Sequence, residues 1–272
     1  MSEHAVVRTV GLILAQQEYL RALLYRRLVA VPPASAALFL EPHPDDVAIG
    51  CGGVVLKYVA AHTPVEIVCL TDGRACVAPR AARVAIAARR AEESRAVARA
   101  LGIAPPALIG CPEDELVRPE RTAELVGRLR QILKASPADA VFIPFELEVH
   151  PLHRYACHLL ALAMQDARRA RTVYAYAVAS CPPPSVVVDI TAQAEAKQRL
   201  VGLYESQLHL RDYRRDLELL NGYCAPIAGP GARACEVFYD RAEQRFVEEI
   251  LAMQLDAPAA LECGIQPMVP ET

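Results

Sequence analysis

The feature that most constrains this chain is a repeated alternation of short apolar runs with longer stretches of helical spacing. Residues 36–40, 65–70, 107–109 and 140–143 are runs that read as buried strands. The stretches 54–61, 82–101, 120–134 and 151–168 between and after them read as helices, and Gly102 closes the second at the usual place for a glycine cap. Strands alternating with helices predict a mostly parallel sheet covered on both faces, an α/β fold. Strands over 172–178 and 185–190, a helix over 191–208 and a less regular segment complete the expected domain. No Pro- or Ser-rich linker divides it, so we expect one domain over 34–256 and a tail over 257–272. Before it, apolar residues at Val6, Val10, Ile13, Leu20, Leu24 and Leu28 predict a helix over 5–29, stopped by Pro32-Pro33. Residues 1–33 then form a helical extension, with a homo-oligomer (dimer) or membrane-surface contact as its alternative use.

Composition narrows the function. The chain has 272 residues, 53% of them apolar, and a net charge of −3 with acids and bases intermixed, so no nucleic-acid-binding face is expected. The longest uncharged run near the start, Thr9 to Gln17, is too short for a membrane span. Nine scattered cysteines without a C-x-x-C pair suggest reduced thiols and a cytoplasmic protein.

Chemistry concentrates at two strand ends. Pro42-His43-Pro44-Asp45-Asp46 follows the first strand of the alternation and precedes Gly50-Cys51-Gly52-Gly53. In an open α/β sheet, ligands bind at the carboxyl ends of strands. His150-Pro151-Leu152-His153 follows the run at 140–143; Pro151 suits the first helical position, making His150 the cap. His150 and His153, like His43 and Asp46, are three apart and share a face. Two imidazole nitrogens and one carboxylate oxygen form a three-ligand set with a place left for water, the pattern of a catalytic zinc. Zinc lowers the pKa of such a water to about 7. Asp45, next to a ligand, suits a general base. His150, off the metal, suits oxyanion stabilisation and protonation of a leaving amine. The reaction class is metal-assisted amide hydrolysis. The glycines do not make a dinucleotide fingerprint, because Val55 stands where the third glycine belongs. We expect them to let backbone pass close to the metal.

The same residues give a family resemblance. His43-Pro44-Asp45-Asp46, the glycines after it, Leu70-Thr71-Asp72-Gly73, Arg90 and Glu93, His150-Pro151-Leu152-His153 and Tyr204-Glu205-Ser206-Gln207 occur in the order found in LmbE-like, PIG-L zinc-dependent N-deacetylases. The chain resembles that family from about Ala36 to Tyr239. The resemblance implies a Rossmann-like α/β domain and a Zn2+ cofactor held by His43, Asp46 and His153. It also implies Asp45 as base, His150 as the oxyanion-stabilising acid, and removal of an acetyl group from an N-acetylglucosaminyl small molecule. Members take part in glycolipid-anchor, thiol and antibiotic synthesis. Arg74, Arg80 and Arg83 after the second strand, together with Glu113 and Glu148, are the candidates for substrate contact.

Two positions depart from the family pattern. Val47 replaces a Glu, and Leu152 replaces the Asp of His-Pro-Asp-His. Without that Asp, His150 loses a carboxylate that would raise its pKa by about 1 to 3 units; Glu146 or Glu148 would have to substitute. Alternatives are an amidohydrolase acting on another N-acyl bond, or a weakened paralogue that binds a ligand or partner. His/His/Asp also accepts Fe(II) and other divalent ions.

Overall fold

The computed structural model describes residues 17, 20–21, 24–76, 80–166 and 169–253, with Arg80 by its backbone alone. Eight strands form one sheet: β1 (Arg27–Val29), β2 (Ala37–Glu41), β3 (Val65–Thr71), β4 (Ala107–Cys111), β5 (Ala140–Pro144), β6 (Thr172–Tyr176), β7 (Val186–Asp189) and β8 (Cys235–Ala242). Their order is β1-β7-β8-β6-β5-β2-β3-β4. β8 runs antiparallel to both β6 and β7, and the other pairs are parallel.

Alternation along the strands builds two cores. Leu38, Leu40, Val141, Ile143 and Val173 face one side. There they meet α3 (Pro119–Ala135), α4 (Pro151–Met164) and α8 (Glu243–Ala252), which supply Leu129, Leu159 and Phe246. Ala37, Phe39, Phe142 and Tyr174 face the other side, against α1 (Asp46–Ala60), α2 (Arg83–Leu101), α5 (Ala194–Val201) and α7 (Tyr213–Ala228). Phe39, Phe142 and Tyr174 stack across three neighbouring strands, with centroids 4.3 and 4.8 Å apart. Such offset stacking adds to area burial and ties β2, β5 and β6 together below the site.

The sheet order places the chemistry. From β2 the chain moves outward through β3 and β4, then returns to the other flank of β2 with β5. The reversal lies between β2 and β5, the crevice where open α/β sheets bind ligands.

Three expectations are corrected. The helix predicted over 5–29 stops short: Tyr25 N–H still donates to Arg21 O, but 27–29 form an edge strand parallel to 186–188. The sheet begins there, before Pro32-Pro33; the rest of that helix and the tail from 254 onward lie outside the described residues. The helix predicted over 191–208 is broken at 202–204 into α5 and α6 (Glu205–Leu208), and within α6 Ser206 bonds Glu93 through its N–H and hydroxyl at 2.8 and 2.6 Å. Strand β8 was read as irregular because buried Glu236 and Arg241 interrupt its apolar pattern. Glu236 meets Lys197 at 2.7 Å, and Arg241 meets Glu146 at 2.7 Å. Among the described residues no helix is long and apolar enough to cross a membrane.

Candidate metal centre

Both sequence clusters leave adjacent parallel strands at the same end of the sheet and meet. Asp45 is the N-cap of α1 and Asp46 its first residue, while His150 caps α4 with Pro151 behind it. His43 Nδ1 lies 3.1 Å from His153 Nε2 and 3.3 Å from Asp46 Oδ2. His153 Nε2 lies 3.3 Å from Asp46 Oδ1. All three side chains are buried. A tetrahedral zinc with bonds of about 2.0–2.1 Å holds its ligand atoms about 3.3 Å apart; the edges have that length, and the two that reach Asp46 end on different oxygens, Oδ2 toward His43 and Oδ1 toward His153. His43 N–H donates to Asp46 Oδ2 at 2.7 Å, which fixes the carboxylate between the two rings.

A set of three histidines, His43, His150 and His153, also brings its ligand atoms within 4.8 Å. The hydrogen bonds distinguish the rings. His150 Nδ1 accepts the N–H of Leu152 at 3.2 Å, so its neutral ring carries the proton on Nε2 and presents a donor. His43 differs: Nε2 lies 3.3 Å from Glu113 Oε1, a carboxylate that favours a proton there, and Nδ1 is the nitrogen that faces His153 and Asp46.

The local electrostatics divide these rings. Burial alone would lower the pKa of His43, but Asp46 and Glu113 outweigh it and push it up to about 10. Burial, with His43 and His153 adding repulsion, pushes His150 down to about 3. Burial would raise Glu113, but His43 and the Ala75 N–H hold it down at about 2. The adjacent carboxylates separate too. Burial and Asp46 raise Asp45 against the pull of Arg90; the imidazoles outweigh burial and hold Asp46 well below the carboxylate range.

Arg90 is a buried partner of Asp45 whose contact the sequence did not reveal. It donates Nη2 to Asp45 Oδ1 at 2.7 Å and Nη1 to Gly73 O at 3.0 Å, and it is 3% exposed. Its signal was position: an arginine among the inward residues of α2. Glu41 is a second such group, buried at the end of β2 with Oε2 accepting from Val47 N–H at 3.2 Å.

A cleft of about 920 Å³ opens over the cluster, lined by His43, Asp45, Asp46, Glu113, His150 and His153. Ile49, Val117, Leu152, Leu217, Leu220 and Tyr223 make its apolar side. Arg74, Arg83 and Glu148, expected at the substrate, are not among the lining residues. Arg74 pairs with Asp72, and Arg83 meets Asp114, which does line the cleft, at 3.1 Å. Glu148 is fully buried, with Oε1 accepting the N–H groups of Val178, Ala179 and Ser180 at 2.6, 2.8 and 2.9 Å. Glu146 is bound to Arg241 through both oxygens, so neither acid replaces the missing partner of His150. A hollow of about 1080 Å³ opens instead at the start of β6, but arginines there are paired with acids, as in Arg171–Glu243 and Arg241–Glu146.

The glycines after the motif serve packing on the sheet side of α1. A side chain at Gly50 would strike Tyr176, and a Cβ at Gly53 would fall 2.6 Å from Ile190. That corrects the expectation of a close approach to the metal. Below them Glu236 accepts the N–H groups of Gly53 and Val54, each at 2.7 Å, and anchors the helix that presents Asp46.

Fold and site together define an α/β domain with a cluster of metal-ligating side chains at its topological switch point. Residues 38–164 match the family described as PIG-L, GlcNAc-PI de-N-acetylase. Diacetylchitobiose deacetylase from Thermococcus kodakarensis is 29% identical over 187 residues, 62% of this chain and 69% of that protein. The structure of N,N'-diacetylchitobiose deacetylase from Pyrococcus horikoshii is 26% identical, covers 77% of this chain and 85% of that one, and superposes with a TM-score of 0.64. The 4-carboxy-2-hydroxymuconate hydratase of Pseudomonas putida, at 20% identity, 76% and 95% coverage and a TM-score of 0.64, shares the fold. Over residues 38–164 the chain is similar to the PIG-L, LmbE-like family.

Proposed function

We propose that the protein is a metal-dependent hydrolase that removes the N-acetyl group from an N-acetylglucosaminyl-type small molecule. The observation that supports this best is the buried cluster of His43, Asp46 and His153, with edges of 3.1 to 3.3 Å beside Asp45. The substrate class rests on the family match and on the relatives named as diacetylchitobiose deacetylases. His43 Nδ1, His153 Nε2 and an Asp46 oxygen would hold the cation, and two imidazoles with one carboxylate suit Zn2+. When bound, such an ion supplies Lewis-acid charge and lowers the pKa of water at the site.

The other steps belong to the chain's own groups. Arg90 holds Asp45 through Oδ1, so Oδ2 is the oxygen that takes the proton from the attacking water. Burial raises the pKa of Asp45, so the captured proton is retained long enough to pass to the leaving amine. His150, kept neutral, donates Nε2–H to the amide oxygen as negative charge builds there. Arg90 and Glu113 orient Asp45 and His43, respectively.

A second reading is favoured by the apolar side of the cleft, where Leu152, Leu217, Leu220 and Tyr223 suit a larger N-acyl group. Acetate release from N-acetylglucosaminyl conjugates, with and without a chelator, tests the first reading, and a panel of longer N-acyl analogues tests the second. Turnover insensitive to the chelator, or full activity in Asp45→Ala, overturns the mechanism.

A further inference from the structure

Two thiols that the mechanism does not use meet beside the cleft. Cys181 lies in the loop between β6 and β7, and Cys224 lies on α7, with their Sγ atoms 3.5 Å apart. Cys181 is exposed, whereas Cys224 is 1% exposed. Both segments form cleft walls: the loop contributes Val178 and Ala179, and α7 contributes Tyr213, Leu217, Leu220 and Tyr223. Glu148 fixes the loop immediately before Cys181 by accepting three consecutive backbone N–H groups.

We propose that Cys181 and Cys224 are a site of reversible oxidative modification, in which a peroxide converts the pair to a disulfide that fastens α7 to the loop wall of the cleft. A disulfide needs an S–S distance of about 2.05 Å, so the sulfurs must approach by about 1.5 Å. A side-chain rotation on the loop side provides that movement, since Cys181 belongs to no helix or strand.

The chemistry balances with hydrogen peroxide as oxidant. The Cys181 thiolate attacks one peroxide oxygen; the O–O bond breaks, the sulfur becomes a sulfenic acid, and the displaced hydroxide takes a proton to leave as water. The Cys224 sulfur then attacks the sulfenic sulfur. The S–S bond forms, the S–O bond breaks, and the departing hydroxide leaves as water with the Cys224 proton. In sum, two thiols and one peroxide give one disulfide and two waters.

The surroundings favour this order of events. The hydrogen bond from Cys224 holds the Cys181 thiol below the ordinary cysteine range, and that same contact together with burial pushes Cys224 up. An accessible thiol of lowered pKa beside a resolving thiol is the arrangement that oxidises selectively. Cys51, Cys69, Cys111, Cys157 and Cys235 are buried, and burial pushes each of their thiols up. Cys235 shares an apolar cluster with Cys224 and is the internal competitor.

The test treats the full chain with hydrogen peroxide, then follows intact mass, peptide mapping without reduction, and amide exchange, each before and after dithiothreitol. The expected result is a loss of two hydrogens, one peptide linking positions 181 and 224, and full reversal by the dithiol. Exchange across 213–228 slows about ten-fold or more in the oxidised form, because local opening of α7 is restrained. Cys181→Ser, a change at an exposed loop position, abolishes the cross-link, and Cys224→Ser does the same. The proposal is overturned if Cys181 proceeds to sulfinic acid without pairing, if the linked peptide joins 224 to 235, or if Cys181→Ser still loses two hydrogens.

Discussion

The loops that leave β2 and β5 are built alike and charged differently. Each places a histidine before a helix and a second ligand-type side chain three residues on, at the helix N-terminus. The β2 loop holds Asp45 and Asp46 and draws in Arg90 and Glu113. The β5 loop holds Glu146 and Glu148, but both are engaged away from His150, Glu146 by Arg241 and Glu148 by backbone. The consequence appears in two rings whose centroids are 4.7 Å apart. His43 is pushed up to about 10 and His150 down to about 3. Burial lowers both rings; carboxylates outweigh it at His43 and do not at His150. The division suits the roles proposed for the two rings, a metal ligand in His43 and a neutral donor in His150.

The largest effect is expected where that division is broken at its source. Asp46→Asn removes the anion between the two ligand imidazoles, and both bound metal and turnover should fall below detection. Elemental analysis of the purified variant checks this; stoichiometric metal would show that His43, His150 and His153 suffice. Asp45→Asn leaves the three ligand atoms in place. It should retain metal while kcat falls by about 10²–10⁴, the usual contribution of a positioned base. Equal loss of metal in both variants would erase the distinction drawn between the paired aspartates.

The strand-helix alternation made the sheet legible because most of its strands are apolar and buried on both faces. Strand β8 was hidden, since Glu236 and Arg241 find ionic partners that only the tertiary fold supplies. Residues 27–29 were absorbed into a helical pattern because Leu28 fits both periods. At the site, i, i+3 spacing revealed which side chains could share a face, and the structure brings His43, Asp45, Asp46, His150 and His153 into one cleft. Long-range partners were not legible. Arg90 reaches Asp45 across 45 positions, and Glu113 approaches His43 from a different strand end. Of the residues expected at the substrate, Glu113 lines the cleft, while Arg74 and Glu148 find nearer partners, which no spacing rule reports.

A smaller effect tests the β2 side of the comparison by its protons. With His43 pushed up to about 10, the metal-free protein carries a proton there at pH 7, and a cation must displace it. Titration calorimetry in buffers of different ionisation heat should therefore report release of about one proton per metal at pH 7. Release near zero would mean that His43 is already neutral. Glu113→Gln removes the carboxylate behind that ring and should weaken metal affinity about 10–100-fold, with proton release reduced in parallel.

The smallest effect is expected on the β5 side, from restoring a carboxylate with Leu152→Asp. In the folded protein His150 titrates near 3, against 6.5 for an unperturbed ring, so below pH 6.5 the unfolded chain binds more protons at this site. Stability from this group is therefore full above about 6.5 and declines as pH falls toward 3. A carboxylate beside the ring should raise its folded pKa by about 1 to 3 units, which narrows that window from below and lessens the acid loss. Urea unfolding of the metal-free protein between pH 4 and 7 measures it: the variant's stability should fall less steeply with acid than the parent's. The acid limb of kcat should move up by a similar interval, because protonating His150 at higher pH removes the neutral donor earlier. Parallel stability curves with an unmoved acid limb would mean that Leu152 has no hold on His150, and that the asymmetry between the two loops arises from burial alone.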